Sequence, residues 1–176
     1  MIRIAAFKGI GWISDGIKLL TYSEYSHIAL LFDEEFHVAG RHIQKGDVIE
    51  AWQGGVKHAK SLSENHTKGT PVDIFSFRKP LTNVEAREAA EYFASNIGKK
   101  YDYINIVRFV PIVRVIIPKP APNSWTRQHV FCSELAVQGF AHAQRPLFER
   151  CKAWEIPPRD IPRLTLLRHD KTIVTE

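Results

Sequence analysis

Cysteine is scarce in this sequence: Cys132 and Cys151 are the only two among 176 residues. Two thiols make no disulfide framework for a chain of this length, so both are expected to be free, in a reducing cytoplasmic setting. Runs of basic residues are missing as well. The net charge is +5, but Lys99, Lys100, Arg108, Arg114, Lys119 and Arg163 are scattered. Net charge alone speaks for a nucleic-acid partner, and none is expected. No apolar stretch runs long enough to cross a membrane. The richest window, "INIVRFVPIVRVIIP" from Ile104 to Pro118, is interrupted by Arg108, Pro111 and Arg114. The amino-terminal "MIRIAAFKGIGWISDGIKLL" is broken by Lys8, Asp15 and Lys18, and no small-residue cleavage site follows it. It reads as mature protein without a secretory signal. No CxxC or HxxxH spacing occurs, so neither a metal nor another cofactor is expected.

What is present describes a folded domain. A hydrophobic share of 44% with 11% aromatics suffices to bury about two-thirds of the unfolded surface. No repeat or linker divides the chain, and residues 1–176 are expected to form one domain. "SHIALLF" from Ser26 to Phe32 predicts a buried strand, and "FHVAG" a return strand after the "DEE" turn. "GDVIEAWQGGVKHA" predicts two strands joined at Gly54-Gly55, and "PVDIFSFR" one more. In the second half the apolar period changes. Thr82 and Glu85 have the spacing of a capping box, and Ala86, Ala89, Ala90, Phe93, Ala94 and Ile97 recur at helical spacing up to Gly98. Phe131, Leu135, Ala136, Gly139, Phe140 and Ala143 mark a second amphipathic helix, and Thr165 to Arg168 a last strand. Strands followed by helices give an α+β class, an antiparallel sheet or small barrel packed against helices.

Cys132 falls in the first turn of the second helix. A helix amino terminus carries partial positive charge and unpaired N–H groups, which favour a thiolate and can hold an oxyanion. A buried cysteine acting as a small hydrophobe fits the same position. A nucleophilic cysteine needs a basic partner close in space. His27 is the candidate, because it opens the most apolar strand, where packing alone would not choose an imidazole. His129, three residues before Cys132, is a rival, whereas His142 lies nearly three helical turns beyond. His37, His42, His58, His66 and His169 stand among polar neighbours and read as surface residues. Glu50, between apolar neighbours in "DVIEAW", is costly to bury unless paired, and so could orient the histidine. Simple alternation, with Val48, Glu50 and Trp52 facing water, explains the same pattern.

The segments "YSHIALLF", "VIEAWQGGV", "GKKYDY" and "FCSELAVQGF", in that order, resemble the circularly permuted papain-like enzymes of the NlpC superfamily, the YiiX-like group. The resemblance runs from about Tyr22 to Phe140. It implies a permuted papain-like fold and a cysteine peptidase or amidase, with Cys132 as nucleophile, His27 as base and Glu50 as the polar third residue. The implied substrates are peptide amides such as cell-wall stem peptides, or lipid-linked amides and esters. Transfer to an acceptor other than water, and a binding module without turnover, remain alternatives. Trp52, Tyr101 and Tyr103 are candidates to line the substrate cleft, or else core residues. Ile106 to Ile117, with Arg108 and Arg114, would suit an acyl chain or an anionic membrane surface, or else packs on the core. Oligomeric state is not readable from the sequence.

Overall fold

A computed structural model describes residues 1–10, 18, 23–103 and 128–176. The apolar segment from Ile104 and the proline-rich stretch after it, including Ile106 to Ile117, Arg108, Arg114 and Lys119, therefore lie outside the described residues. So does most of the amino-terminal stretch from Gly11 to Tyr22.

The core is a six-stranded antiparallel sheet built from β1 (Ile2–Phe7), β2 (His27–Phe32), β5 (Val48–Trp52), β6 (Gly55–Ala59), β7 (Pro71–Phe77) and β10 (Leu167–Val174). Their order across the sheet is β10-β7-β1-β2-β5-β6. Two further pairs stand apart: β3 (Phe36–Val38) with β4 (Arg41–Ile43), and the parallel β8 (Lys100–Tyr101) with β9 (His129–Val130). The expected α+β class is present. β1 is a strand that the sequence reading does not identify, since "IRIAAF" is apolar without alternation and is buried through most of its length. "FHVAG" departs from expectation in its partner. Its strand β3 pairs with β4, across the positive-φ residues Ala39 and Gly40, and β2 instead lies between β1 and β5. The Gly54-Gly55 hairpin forms as expected, with Glu50 opposite Lys57. The last strand is longer than its sequence signal, because apolar spacing fades in its exposed carboxy-terminal half.

Among the described residues, two helices cover one face of the sheet. α1 (Asn83–Ser95) has the expected capping box: the Glu85 N–H donates to the Thr82 hydroxyl, and the Thr82 N–H to the Glu85 carboxylate. α2 (Cys132–His142) crosses it where Gly139 leaves room for the Phe93 ring. Ile28, Leu30 and Phe32 of β2 join the helices in the larger core cluster, together with Ile49 and Ala51 of β5. Alternation sends the other side chains to the opposite face, where Phe7, Ala29, Val48, Leu62 and Val72 form a second cluster. His27 and Glu50 share the parity of Ala29 and Val48. They belong to this second face, away from the helices.

Candidate functional site

β2 and β5 are held in register only at Leu30–Ile49 and Leu31–Val48. Toward His27 the strands part. On this edge of β2 the donors come at every second residue: the Phe32 N–H reaches the Asp47 carbonyl, and two residues earlier Leu30 stands opposite Ile49. Two earlier again, the Ile28 N–H meets the Cys132 sulfur rather than a β5 carbonyl. The amino terminus of α2 thus inserts its first side chain into the opening between the strand of His27 and the strand of Glu50. The sulfur also lies close to the N–H groups of Ser133 and of Cys132 itself, the donors a helix start leaves unpaired.

On the second face His27 Nε2 lies 2.7 Å from Glu50 Oε2, each side chain 1% exposed. His66 Nε2 lies 2.8 Å from the same oxygen. The other oxygen, Oε1, accepts from the Asn65 amide at 3.0 Å. Burial alone would push the Glu50 carboxyl up, but the hydrogen bonds from the two imidazoles outweigh it and hold the carboxyl well below the usual carboxylate range. An ionised carboxylate only accepts, so both rings carry hydrogen on Nε2. His27 itself is pushed below the ordinary histidine value, because burial disfavours the imidazolium more than Glu50 favours it, and His66 adds to the same direction. The resting pair is a neutral imidazole donating to a carboxylate, with Nδ1 as the basic nitrogen of His27.

The thiol differs from expectation. Burial pushes Cys132 up to about 12, and the three N–H groups and the helix terminus do not reverse this. That direction favours the thiol over the thiolate that its position at a helix start suggests. Among the described residues the sulfur's hydrogen bonds are to backbone, and the His27 ring's is to Glu50. The link from Cys132 to His27 runs through Ile28, the residue after His27 in β2, whose N–H faces the sulfur; among the described residues no hydrogen bond joins the thiol to the imidazole.

The remaining expected residues gather nearby. The Trp52 ring stands edge-on to His27 at 4.6 Å and is 4.7 Å from His66. Tyr101 is half-buried; burial first, then the nearby Cys132, Tyr103, Asp102 and Glu50, hold its hydroxyl well above the usual tyrosine range. Tyr103 is exposed, packs edge-on against Tyr101 at 4.9 Å, and its hydroxyl takes the Gly54 N–H at 3.3 Å. His129 lies in β9 opposite Lys100. His142, at the far end of α2, rests on Tyr92.

His66 is the residue that sequence reasoning missed. It is not a surface histidine: its side chain is 5% exposed and its ring stacks on Phe7 at 3.8 Å. The polar stretch "SLSENHTKG" hides it. The signal is Phe7, an aromatic at the end of a buried strand that needs a flat partner, but no spacing rule links positions so far apart. His58 is likewise half-buried, 2.6 Å from Asp47. His27, Glu50 and His66 also form a set of possible metal ligands, with one donor atom from each lying within 4.8 Å of the others. They come from β2, β5 and the loop after β6, so the absence of a short ligand motif in the sequence has no bearing on them.

This architecture, a six-stranded antiparallel sheet with two covering helices, is that of the papain-like fold in its YiiX-like form. Among solved structures the chain is similar to the metalloprotein yiiX from Escherichia coli O157:H7, DUF1105. The two are 17% identical with a TM-score of 0.64, and the alignment covers 99% of this chain and 96% of that one. That similarity establishes the fold. No protein-family model matches the sequence, and no curated protein does. Among the described residues no helix is long and apolar enough to cross a membrane.

Proposed function

We infer that the protein is a cysteine hydrolase acting on an amide bond, with a peptide as the first substrate to test. The observation that carries this reading is the buried His27–Glu50 pair beside a thiol lodged one residue along the same strand. Glu50 fixes the His27 tautomer, so that Nδ1 is the proton acceptor. The resting site holds a neutral thiol and a neutral base. The proton therefore moves when a substrate carbonyl reaches the sulfur, rather than beforehand. Cys132 Sγ attacks the carbonyl carbon as His27 Nδ1 takes its proton, and backbone N–H groups at the start of α2 stabilise the oxyanion. The imidazolium next to the Glu50 carboxylate protonates the leaving amine. Water, deprotonated by the same ring, then releases the acyl group and restores the thiol. Trp52, Tyr101 and Tyr103 form the aromatic wall against which the acyl part rests. Lipid-linked amides and esters enter the same chemistry, since only the leaving group and the acyl chain change.

One observation favours a second reading, a papain-like module that binds without turnover: Cys132 is 2% exposed and its thiol is disposed to stay protonated. A panel of peptidoglycan stem peptides, acyl amides and acyl-lipid esters, assayed with wild type and Cys132→Ser, separates the two. Turnover that disappears in Cys132→Ser supports the hydrolase. Binding of a panel member without turnover supports the module.

A further inference from the structure

We propose that His27 Nε2, His66 Nε2 and the Glu50 carboxylate form a binding site for a divalent transition-metal ion of the zinc class. Three features distinguish this cluster from a mere orienting contact. Both imidazoles aim the same nitrogen at the same oxygen, at 2.7 and 2.8 Å, so the three donors converge on a common point instead of forming a chain. Two nitrogens and one carboxylate oxygen are a donor set that suits zinc, iron and their neighbours, and not calcium or magnesium. The cluster has an outer shell of the kind that metal ligands need. Asn65 donates to Glu50 Oε1 at 3.0 Å, Phe7 stacks on His66 at 3.8 Å, and Trp52 packs edge-on to His27 at 4.6 Å. An ion with bonds of about 2.0–2.1 Å spaces tetrahedral donors roughly 3.3 Å apart, so each imidazole nitrogen needs to draw back from the Glu50 oxygen by about half an ångström. The least anchored of the three is His66. It rides on the polar loop between β6 and β7, whose Ser61, Glu64, Thr67, Lys68 and Gly69 face solvent. That loop is the way in.

Metal uptake uses the lone pair of Nε2 on each ring, so the hydrogen each ring donates to Glu50 moves to Nδ1. On His27 this converts Nδ1 from acceptor to donor. Resting on the hydrolase reading above, the consequence is that the metal-bound protein no longer has a base for the Cys132 thiol. The ion is therefore an inhibitor of thiol chemistry and not its cofactor.

The experiment is titration of the metal-free full chain with Zn2+ and with Co2+, followed by calorimetry and by the visible absorption of Co2+. It is run on wild type, Cys132→Ala, His66→Asn and His42→Asn. One ion per chain is expected in wild type, with a nitrogen–oxygen Co2+ spectrum that Cys132→Ala leaves unchanged. His66→Asn should lose at least tenfold in affinity. His42→Asn is the control for the stacked surface pair His37–His42, whose rings are 4.3 Å apart, and should change nothing. Because buried variants can misfold, long-range nitrogen NMR on wild type gives an independent readout. Zn2+ should move the Nε2 resonances of His27 and His66. Shifts confined to His37 and His42, unaltered affinity in folded His66→Asn, or no binding in wild type each overturn the proposal. Zinc binding with no acyl-enzyme at Cys132 under any condition leaves the metal site standing and removes the hydrolase reading. An acyl-enzyme without zinc binding does the reverse.

Discussion

Glu50 Oε2 is shared by two histidines that lie 39 positions apart, His27 at 2.7 Å and His66 at 2.8 Å. A buried carboxylate is expensive unless its charge is answered by hydrogen bonds, and here both answers converge on one oxygen while Asn65 supplies the other. Glu50→Gln keeps the shape but brings its own N–H groups against two N–H donors. It should cost about 3–5 kcal/mol of stability if the amide cannot reorient, measured by urea unfolding. Where a confirmed substrate exists, the folded fraction should turn it over at least ~10²-fold more slowly, because the His27 tautomer is no longer fixed.

Acid should silence the site from the side of His27. Burial lowers the pKa of that ring, and Glu50 remains ionised because its own value is depressed. Turnover should therefore be flat through neutrality, with its acid limb below the ordinary histidine value of about 6.5. A kcat/KM profile that climbs only above pH 7 would contradict a neutral imidazole as the base.

Small alkylating reagents should find the wrong cysteine first. Cys151 is exposed and Cys132 is buried, and Cys132 stays protonated because burial pushes its pKa up to about 12. Iodoacetamide at neutral pH should modify Cys151 well ahead of Cys132, read by peptide mapping. Preferential labelling of Cys132 would show a pre-formed thiolate.

Glu134, two residues beyond Cys132, sets a separate pH dependence. Burial, helped by the charge of Asp102, raises its pKa to about 8. Gln138 donates to Oε1, and among the described residues Oε2 is buried without a partner. A carboxyl raised in the folded state binds its proton more tightly there than in the unfolded chain. Its contribution is complete below the unfolded value of about 4.3 and is lost as pH rises to about 8. Glu134→Gln should thus be more stable than wild type at pH 8, by an amount on the order of a few kcal/mol, and nearly equal to it at pH 4. Urea midpoints at the two values test this.

The helix crossing depends on Gly139, which bears no Cβ where one would overlap the Phe93 ring. Gly139→Ala gains helix propensity, yet should destabilise by about 1–3 kcal/mol through overpacking, read from thermal melts.

What could be read from the sequence follows from the reach of each signal. The Thr82–Glu85 capping box, the Gly54-Gly55 turn and the apolar run of β2 are local and were legible. Glu50 was legible as a costly burial that needs a partner, although alternation explained it equally well until the strand was seen to be buried on both faces. His66 was not legible, because its burial is decided by a loop folding back over Phe7, and residues 59 positions apart leave no periodic trace. The protonation of Cys132 is not legible for a related reason. A helix start is visible in sequence, whereas the depth at which the helix plugs the sheet is a tertiary fact.

If the hydrolase reading holds, Cys132 accepts an acyl group with His27 as its base. Short-chain p-nitrophenyl esters offered to the full chain, followed by acid quench and mass mapping, measure this directly. One acyl group is expected on Cys132 in wild type and none there in His27→Ala. Acylation of Cys132 unaffected by His27→Ala, or acyl groups on Cys151 alone, would contradict it.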